Sequence, residues 1–342
     1  MEKQIRYRQP GWIAVRTLCR WLLIAAGLLP FAASAASQAP EKYPSRPVRI
    51  LVPFAPGGAT DFVARIVQPR LAEELGQPVV LDNRAGASGN IALEMAARAT
   101  PDGYTALFSN VGVIAINPAL FKSFPINTLR DLRCLSVVAD MASVLVVHSS
   151  VPAKTVKEFI EYAKARPGKI NYGSSSPGSL SRLGMEIFAN KSGISLVHVP
   201  YKGAAAVSVA LLSAEVQSSF VSLAPVLANI RSGQLRALAS RTRERPELLP
   251  DLPTLKELGY PELTDSAWQG LYIAAGTPMP VLKTLHAAIT KVVEDPRVAE
   301  RLKAGSATII RSGSLENCAA FSKSEVAFWG KLVKQVGLAG MQ

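Results

Sequence analysis

The stretch VPFAPGGATDFVAR, Val52 to Arg65, decides the fold. It runs from apolar, strand-like residues through Gly57 and Gly58 into a helical pattern. Behind it, VRILVPF has the apolar, β-branched character of a buried strand. Ahead of it, Val63, Val67, Leu71 and Leu75 recur at helical spacing with Phe62 and Ile66 beside them, and Pro69 should kink that helix. A strand that passes through glycines into a helix start brings free backbone N–H groups to one point. It can serve catalysis, nucleotide binding or the gripping of a simpler anion.

Working outward, the same junction recurs. VVLDNRAGASGNIALEMAARA, KINYGSSSPGSLSRLGMEIFANKSG and LVHVPYKGAAAVSVALLSAEV each read as strand, small-residue loop and helix. Between them lie the strand candidates YTALFSN and SVLVVHS and the helix AKTVKEFIEYAKARPG. Strands alternating with helices predict an α/β protein built on parallel sheets covered by helices. The apolar strand in SAWQGLYIAAGTPMPVL needs a sheet to join, and it is expected to return to the first one. That assigns residues 43–147 plus 266–342 to lobe 1 and 148–265 to lobe 2, with two crossings and a cleft between them.

The first 35 residues read as a signal peptide. Lys3, Arg6, Arg8, Arg16 and Arg20 precede the apolar run WLLIAAGLLPFAASA, which ends in a small-residue pattern that places cleavage near Ala35. Cys19 precedes the apolar run and is not placed for lipid attachment. The chain is therefore expected in the periplasm. The leader holds five basic residues and one acidic residue, so the formal charge of +13 becomes about +9 without it. Nucleic acid is the reflex partner for such a charge. The basic residues are scattered and aromatics are few, so a solvated surface favouring anions is expected, with no nucleic-acid partner.

Most competing chemistry is absent. There is no G-x-x-x-x-G-K-[ST], and GASGNIA only loosely matches a dinucleotide fingerprint. GSSSPGS does not match G-x-S-x-G, and no histidine or aspartate is legibly paired with its serines. His148, His198 and His286 lack metal-ligand spacing, so neither metal nor cofactor is expected. Cys134 and Cys318 could pair in an oxidising compartment, and their spacing does not decide it. Ligands of open α/β sheets sit outside the carboxyl ends of strands, at helix N-termini. Hydrogen bonds to a charged group contribute roughly 1.5–3 kcal/mol each. Four of them approach the roughly 8 kcal/mol of a micromolar complex. Asp61 reads more readily as a local helix-start carboxylate than as a ligand contact, whereas Thr60 is balanced between the two. Ser179 can cap a helix or face ligand.

The segments YPSRPVRILVPFAPGGATDFVARIV, LGQPVVLDNRAGASGNIA, PDGYTALFSN, INYGSSSPGSLSRL, HVPYKGAAA and LPDLPTLKELGY resemble, in order, the Bug family. These are extracytoplasmic solute receptors associated with tripartite tricarboxylate transporters. The resemblance implies a two-lobed α/β periplasmic binding protein of the type II-like, Venus-flytrap kind, each lobe a sheet flanked by helices. It implies that the loop of Pro56, Gly57, Gly58, Ala59, Thr60 and Asp61 and the loop of Gly86, Ala87, Ser88 and Gly89 hold one carboxylate, largely through backbone N–H groups and water. Gly173, Ser174, Ser175 and Ser179 would contribute from the other lobe, with Phe54, Ser109, Asn110 and Tyr201 lining the pocket. This chain departs from the family's pattern at Ala210, Ala214 and Ser218, where an aspartate, a glycine and an aspartate are usual. The expectation is a monomeric, non-catalytic receptor that delivers a small carboxylate to membrane transporter subunits. A sensory adaptor of the same fold is the alternative, and a secreted serine hydrolase the remote one.

Overall fold

A computed structural model describes residues 43–264 and 267–340. The expected signal peptide and its cleavage site lie outside them. In chain order the elements are β1 (Val48–Val52), α1 (Ala59–Leu75), β2 (Val79–Asn83), α2 (Asn90–Ala97), β3 (Thr105–Asn110), β4 (Leu132–Met141) and β5 (Ser143–His148). Next come α3 (Val156–Lys164), β6 (Asn171–Ser174), α4 (Leu180–Ser192), β7 (Val197–Pro200), α5 (Ala204–Leu212), β8 (Ser218–Ser222), α6 (Leu223–Arg231) and β9 (Leu235–Ser240). The chain ends with β10 (Trp268–Ala274), α7 (Met279–Glu294), α8 (Pro296–Ala304), β11 (Ala307–Ile309) and α9 (Leu315–Gln335). No helix among the described residues is long and apolar enough to cross a membrane.

The strands form two sheets, ordered β11-β4-β10-β3-β1-β2 and β7-β6-β8-β5-β9. Both are mixed, which corrects the expectation of parallel sheets. β1 pairs in parallel with β2 and β3, while β10 runs antiparallel to β3 and β4. In the second sheet β6 is parallel to β7 and β8, and β5 is antiparallel to β8 and β9. The reason is the double crossing. β5 and β10 are the strands by which the chain enters each sheet from the other, so they run against strands whose carboxyl ends point back toward the junction.

A boundary at residue 147 also needs correction. Ser143–His148 pairs with β8 and β9, so the chain joins the second sheet at Ser143, with Ala142 alone between β4 and β5. Val144 to Val147 are fully buried, and an apolar run buried on both faces carries no mark of which sheet it joins.

Local signals explain the helices that frame the junction. α1 starts at Gly58 without a side-chain cap and ends at Gly76, whose φ of 64° permits the left-handed stop. It continues unbroken through Pro69, where a kink was expected. Helix α9 folds back on the first sheet, where Cys318 forms a disulfide with Cys134 of β4 across 184 residues. Trp268 of β10 donates its indole N–H to Glu325 of α9 at 2.7 Å, which joins the returning strand to the same helix.

Candidate functional site

The carboxyl ends of β1, β3, β6 and β8 meet around one cavity of about 110 Å³. A single water needs roughly 10–15 Å³, so there is room for a small organic acid. Four helix starts contribute to its wall: Gly58, Ala59 and Thr60 of α1, Ser179 to Ser181 of α4, Ala204 of α5, and Ser222 ahead of α6. Among the described residues, no lysine, arginine, histidine, aspartate or glutamate lines it. The polarity comes from backbone, hydroxyls and the amides of Asn110 and Gln269.

The four helix starts differ in how many N–H groups they keep open. α1 and α5 begin at Gly58 and Gly203 with no side-chain cap. At α4 the Ser179 hydroxyl accepts the Arg182 N–H at 3.3 Å, leaving the N–H groups of Leu180 and Ser181. The fourth offers least. The Leu223 N–H of α6 donates to Ala142 O at 2.9 Å and Pro225 has no N–H, which leaves only that of Ala224. Three well-opened dipole ends, each near half a positive charge, therefore face the cavity from both lobes, and they suit an anion.

The loop after β2 forms a second wall. Gly86, Ala87, Ser88 and Gly89 all have positive φ, at 137°, 45°, 57° and 91°. Two non-glycine residues in that region are strained, and such strain concentrates at ligand sites. Asn117 fastens the loop by donating to Ser88 O at 3.0 Å and to Asn90 Oδ1. Ser88 lines both the first cavity and an adjoining one of about 470 Å³, which Gly86, Ala87, Gly89, Tyr201, Lys202 and Ser175 also border.

Of the predicted residues, Phe54, Gly58, Ala59, Thr60, Ser88, Asn110, Ser175 and Ser179 line the first cavity. Gly86, Ala87, Gly89 and Tyr201 line the second. Pro56, Gly57, Asp61, Ser109, Gly173 and Ser174 line neither, and several have other work. Asp61 is buried, and one carboxylate oxygen accepts from Gly57 N at 3.0 Å and Arg65 Nε at 2.8 Å. The other oxygen accepts from Asn83 Nδ2 at 3.0 Å. Burial pushes its pKa up, but the bonds from Arg65, Gly57 and Asn83 outweigh that and hold it below the usual carboxylate value. The Gly57 N–H is thus turned away from any ligand. Gly173 is a packing position, where an added Cβ would stand 3.1 Å from Val207 Cγ1. Asn110 links two walls, with Nδ2 donating to Thr60 Oγ1 and Oδ1 accepting from Val113 N, both at 3.2 Å.

The structure also brings a histidine to the serine loop, where none was legible. His198 Nε2 lies 2.7 Å from Ser174 Oγ. The same hydroxyl also lies 3.0 Å from Ser176 O, to which it can donate when the ring nitrogen carries the proton. Burial, with Arg182 adding to it, pushes the His198 pKa down to about 4. Ser174 is fully buried. The pair is a structural tie.

Sequence reasoning missed Ser143, Ser222 and Gln269, all on the cavity wall. Ser222 sits at a strand-to-helix junction without glycine, so it lacks the mark that Gly57 and Gly58 give the first junction. Gln269 is a polar residue inside the apolar run AWQGLYIAA, and that contrast was a usable signal.

Comparison with known proteins follows the geometry. The family model described as "Tripartite tricarboxylate transporter family receptor" matches residues 63–338. The chain is 34% identical over 321 residues to protein BugT of Bordetella pertussis, covering 94% of this chain and 98% of BugT. Among solved structures it is similar to Rpa4515 of R. palustris with adipate, at TM-score 0.83 and 32% identity, covering 87% of this chain and 99% of that one. It is also similar to MatC from Rhodopseudomonas palustris with bound malate, at TM-score 0.80 and 29% identity, covering 85% and 100%. The two-lobed α/β binding-protein fold is shared with these structures.

Proposed function

The chain belongs to the tripartite tricarboxylate transporter receptor family, and we propose that it captures a small organic carboxylate in the periplasm and delivers it to a membrane transporter of that kind. One observation carries the reading: helix N-termini from both lobes converge on a cavity that has no charged side chain among the described residues. Backbone dipoles attract an anion and leave its identity to the rest of the wall. The relatives solved with malate and with adipate support a carboxylic acid as the class of ligand.

In this reading the N–H groups of Ala59 and Thr60, the left-handed loop of Gly86 to Gly89 and Asn110 hold the carboxylate from the first lobe. Ser175, Ser179 and Ala204 approach it from the second. The protein acts as a monomer with no cofactor, and rotation of the lobes encloses the ligand, a shift toward the closed population. The burial of Ser174, which lines neither cavity, supports binding over hydrolysis.

Native mass spectrometry of protein purified after cleavage of its leader, together with a thermal-shift screen of mono- and dicarboxylates, tests the proposal. Occupancy at a hundredfold excess over Kd stabilises by about 2.7 kcal/mol, roughly 5 °C in melting temperature. A screen in which amines or sugars stabilise the protein and no carboxylate does would overturn it.

A further inference from the structure

The grip accounts for one carboxylate, and the wall near the strand crossings faces the rest of the ligand. Ser143 and Ser222, partners in the β5–β8 ladder, stand there with Ala267 and Gln269. Gln269 is 2% exposed. Its Nε2 donates to Ala267 O at 3.0 Å, which fixes the orientation of the amide. Oε1 is left buried with no hydrogen-bond partner among the described residues. An orphaned buried acceptor is costly and calls for a donor.

This wall is ill suited to a second carboxylate. Among the described residues it has no cation, and the nearest helix start, α6, gives its Leu223 N–H to Ala142 O and lacks one at Pro225, which leaves only that of Ala224. A carboxylate would also set its lone pairs against Gln269 Oε1. The Ser143 and Ser222 hydroxyls can donate to an accepting atom, while Gln269 Oε1 can only accept. A neutral group that both accepts and donates satisfies all three.

We propose that Gln269, with Ser143 and Ser222, makes this receptor specific for a monocarboxylate whose far end carries a hydroxyl or a primary carboxamide. The proposal rests on the carboxylate reading above and adds the chemistry of the ligand's other end.

Calorimetry on the mature protein tests it with straight-chain acids of three to eight carbons, each bearing a terminal methyl, hydroxyl, carboxamide or carboxylate. The expected result is that hydroxyl or carboxamide members bind at least about tenfold more tightly than methyl and carboxylate members of the same length. Gln269→Met, similar in size and unable to accept such a bond, should collapse that preference to about twofold while still binding the methyl-ended acid. Retained affinity for that acid also shows that the variant is folded. Tightest binding of dicarboxylates, or an unchanged preference in Gln269→Met, overturns the inference and leaves the receptor function standing. So does silence of the series when another carboxylate stabilises the protein. Failure of every carboxylate overturns both.

Discussion

The Asp61 carboxylate accepts the N–H of Gly57, four residues earlier, at 3.0 Å. The first turn of α1 thereby folds its own loop back on itself, and Arg65 and Asn83 complete the brace. Asp61→Asn puts an NH2 where one of these acceptors stood and should cost about 1–3 kcal/mol, read from urea unfolding. The folded pKa is depressed, so the carboxylate's contribution is complete above its ordinary value of 3.8 and is lost as pH falls through the lower folded value. The stability gap between wild type and Asp61→Asn should be full at pH 7 and shrink below pH 3.8.

Gly57 and Gly58 are adjacent and do different things. Gly57 has φ of 89° with open space around it, whereas Gly58 is extended and a Cβ there would meet Ala204 Cβ of the other lobe at 3.9 Å. Gly57→Ala should lower stability by about 1 kcal/mol and leave affinity nearly unchanged. Gly58→Ala should be tolerated, while the branched side chain of Gly58→Val fills the cavity mouth and holds the lobes apart. A drop in affinity of about a hundredfold or more is expected, with folding retained. Calorimetry and circular dichroism on the three variants separate these outcomes.

Ala214 has φ of 59° at the end of α5, a left-handed conformation that favours glycine. An alanine in that region costs roughly 1 kcal/mol over glycine. Ala214→Gly should therefore raise the melting temperature by a few degrees and leave ligand affinity alone, in a scan with and without ligand. A lower melting temperature would show that the turn is held by contacts that offset the strain.

The Cys134–Cys318 disulfide closes a loop of 184 residues between β4 and α9. Cys318→Ser should lose about 2–5 kcal/mol of stability. Reductant should destabilise wild type by a similar amount and the variant hardly at all, as measured by urea midpoints.

Much of this was legible because junctions carry local chemistry. VPFAPGGATDFVAR marks a strand end and a helix start without any knowledge of the rest, and the serine loop with its cap at Ser179 is equally local. What lay hidden depends on partners distant in the chain. The centre of SVLVVHS, Val144 to Val147, is wholly apolar, so nothing in it separates membership of the first sheet from the second. His198 meets Ser174 only because β6 and β7 pair in parallel. Asp61 reads as a helix-start carboxylate, but its bond to Asn83 requires β2 to lie beside β1. Gln269 reaches the cavity only because β10 re-enters beside β3, with Gln269 opposite Asn110.

The outgoing crossing is one residue wide. Ala142 gives its N–H to Ser306 O of the first lobe and its carbonyl to Leu223 N of the second, each at 2.9 Å. In the closure proposed above, such a link serves as the pivot and leaves no slack for sliding. Displacement about a pivot grows with the lever arm. Ser143, next in the chain, travels little in any rotation of the lobes, whereas contacts farther from Ala142 travel more. A ligand seated against the Ser143 wall therefore meets a nearly stationary template, and the swing of the lobes is spent at the open end.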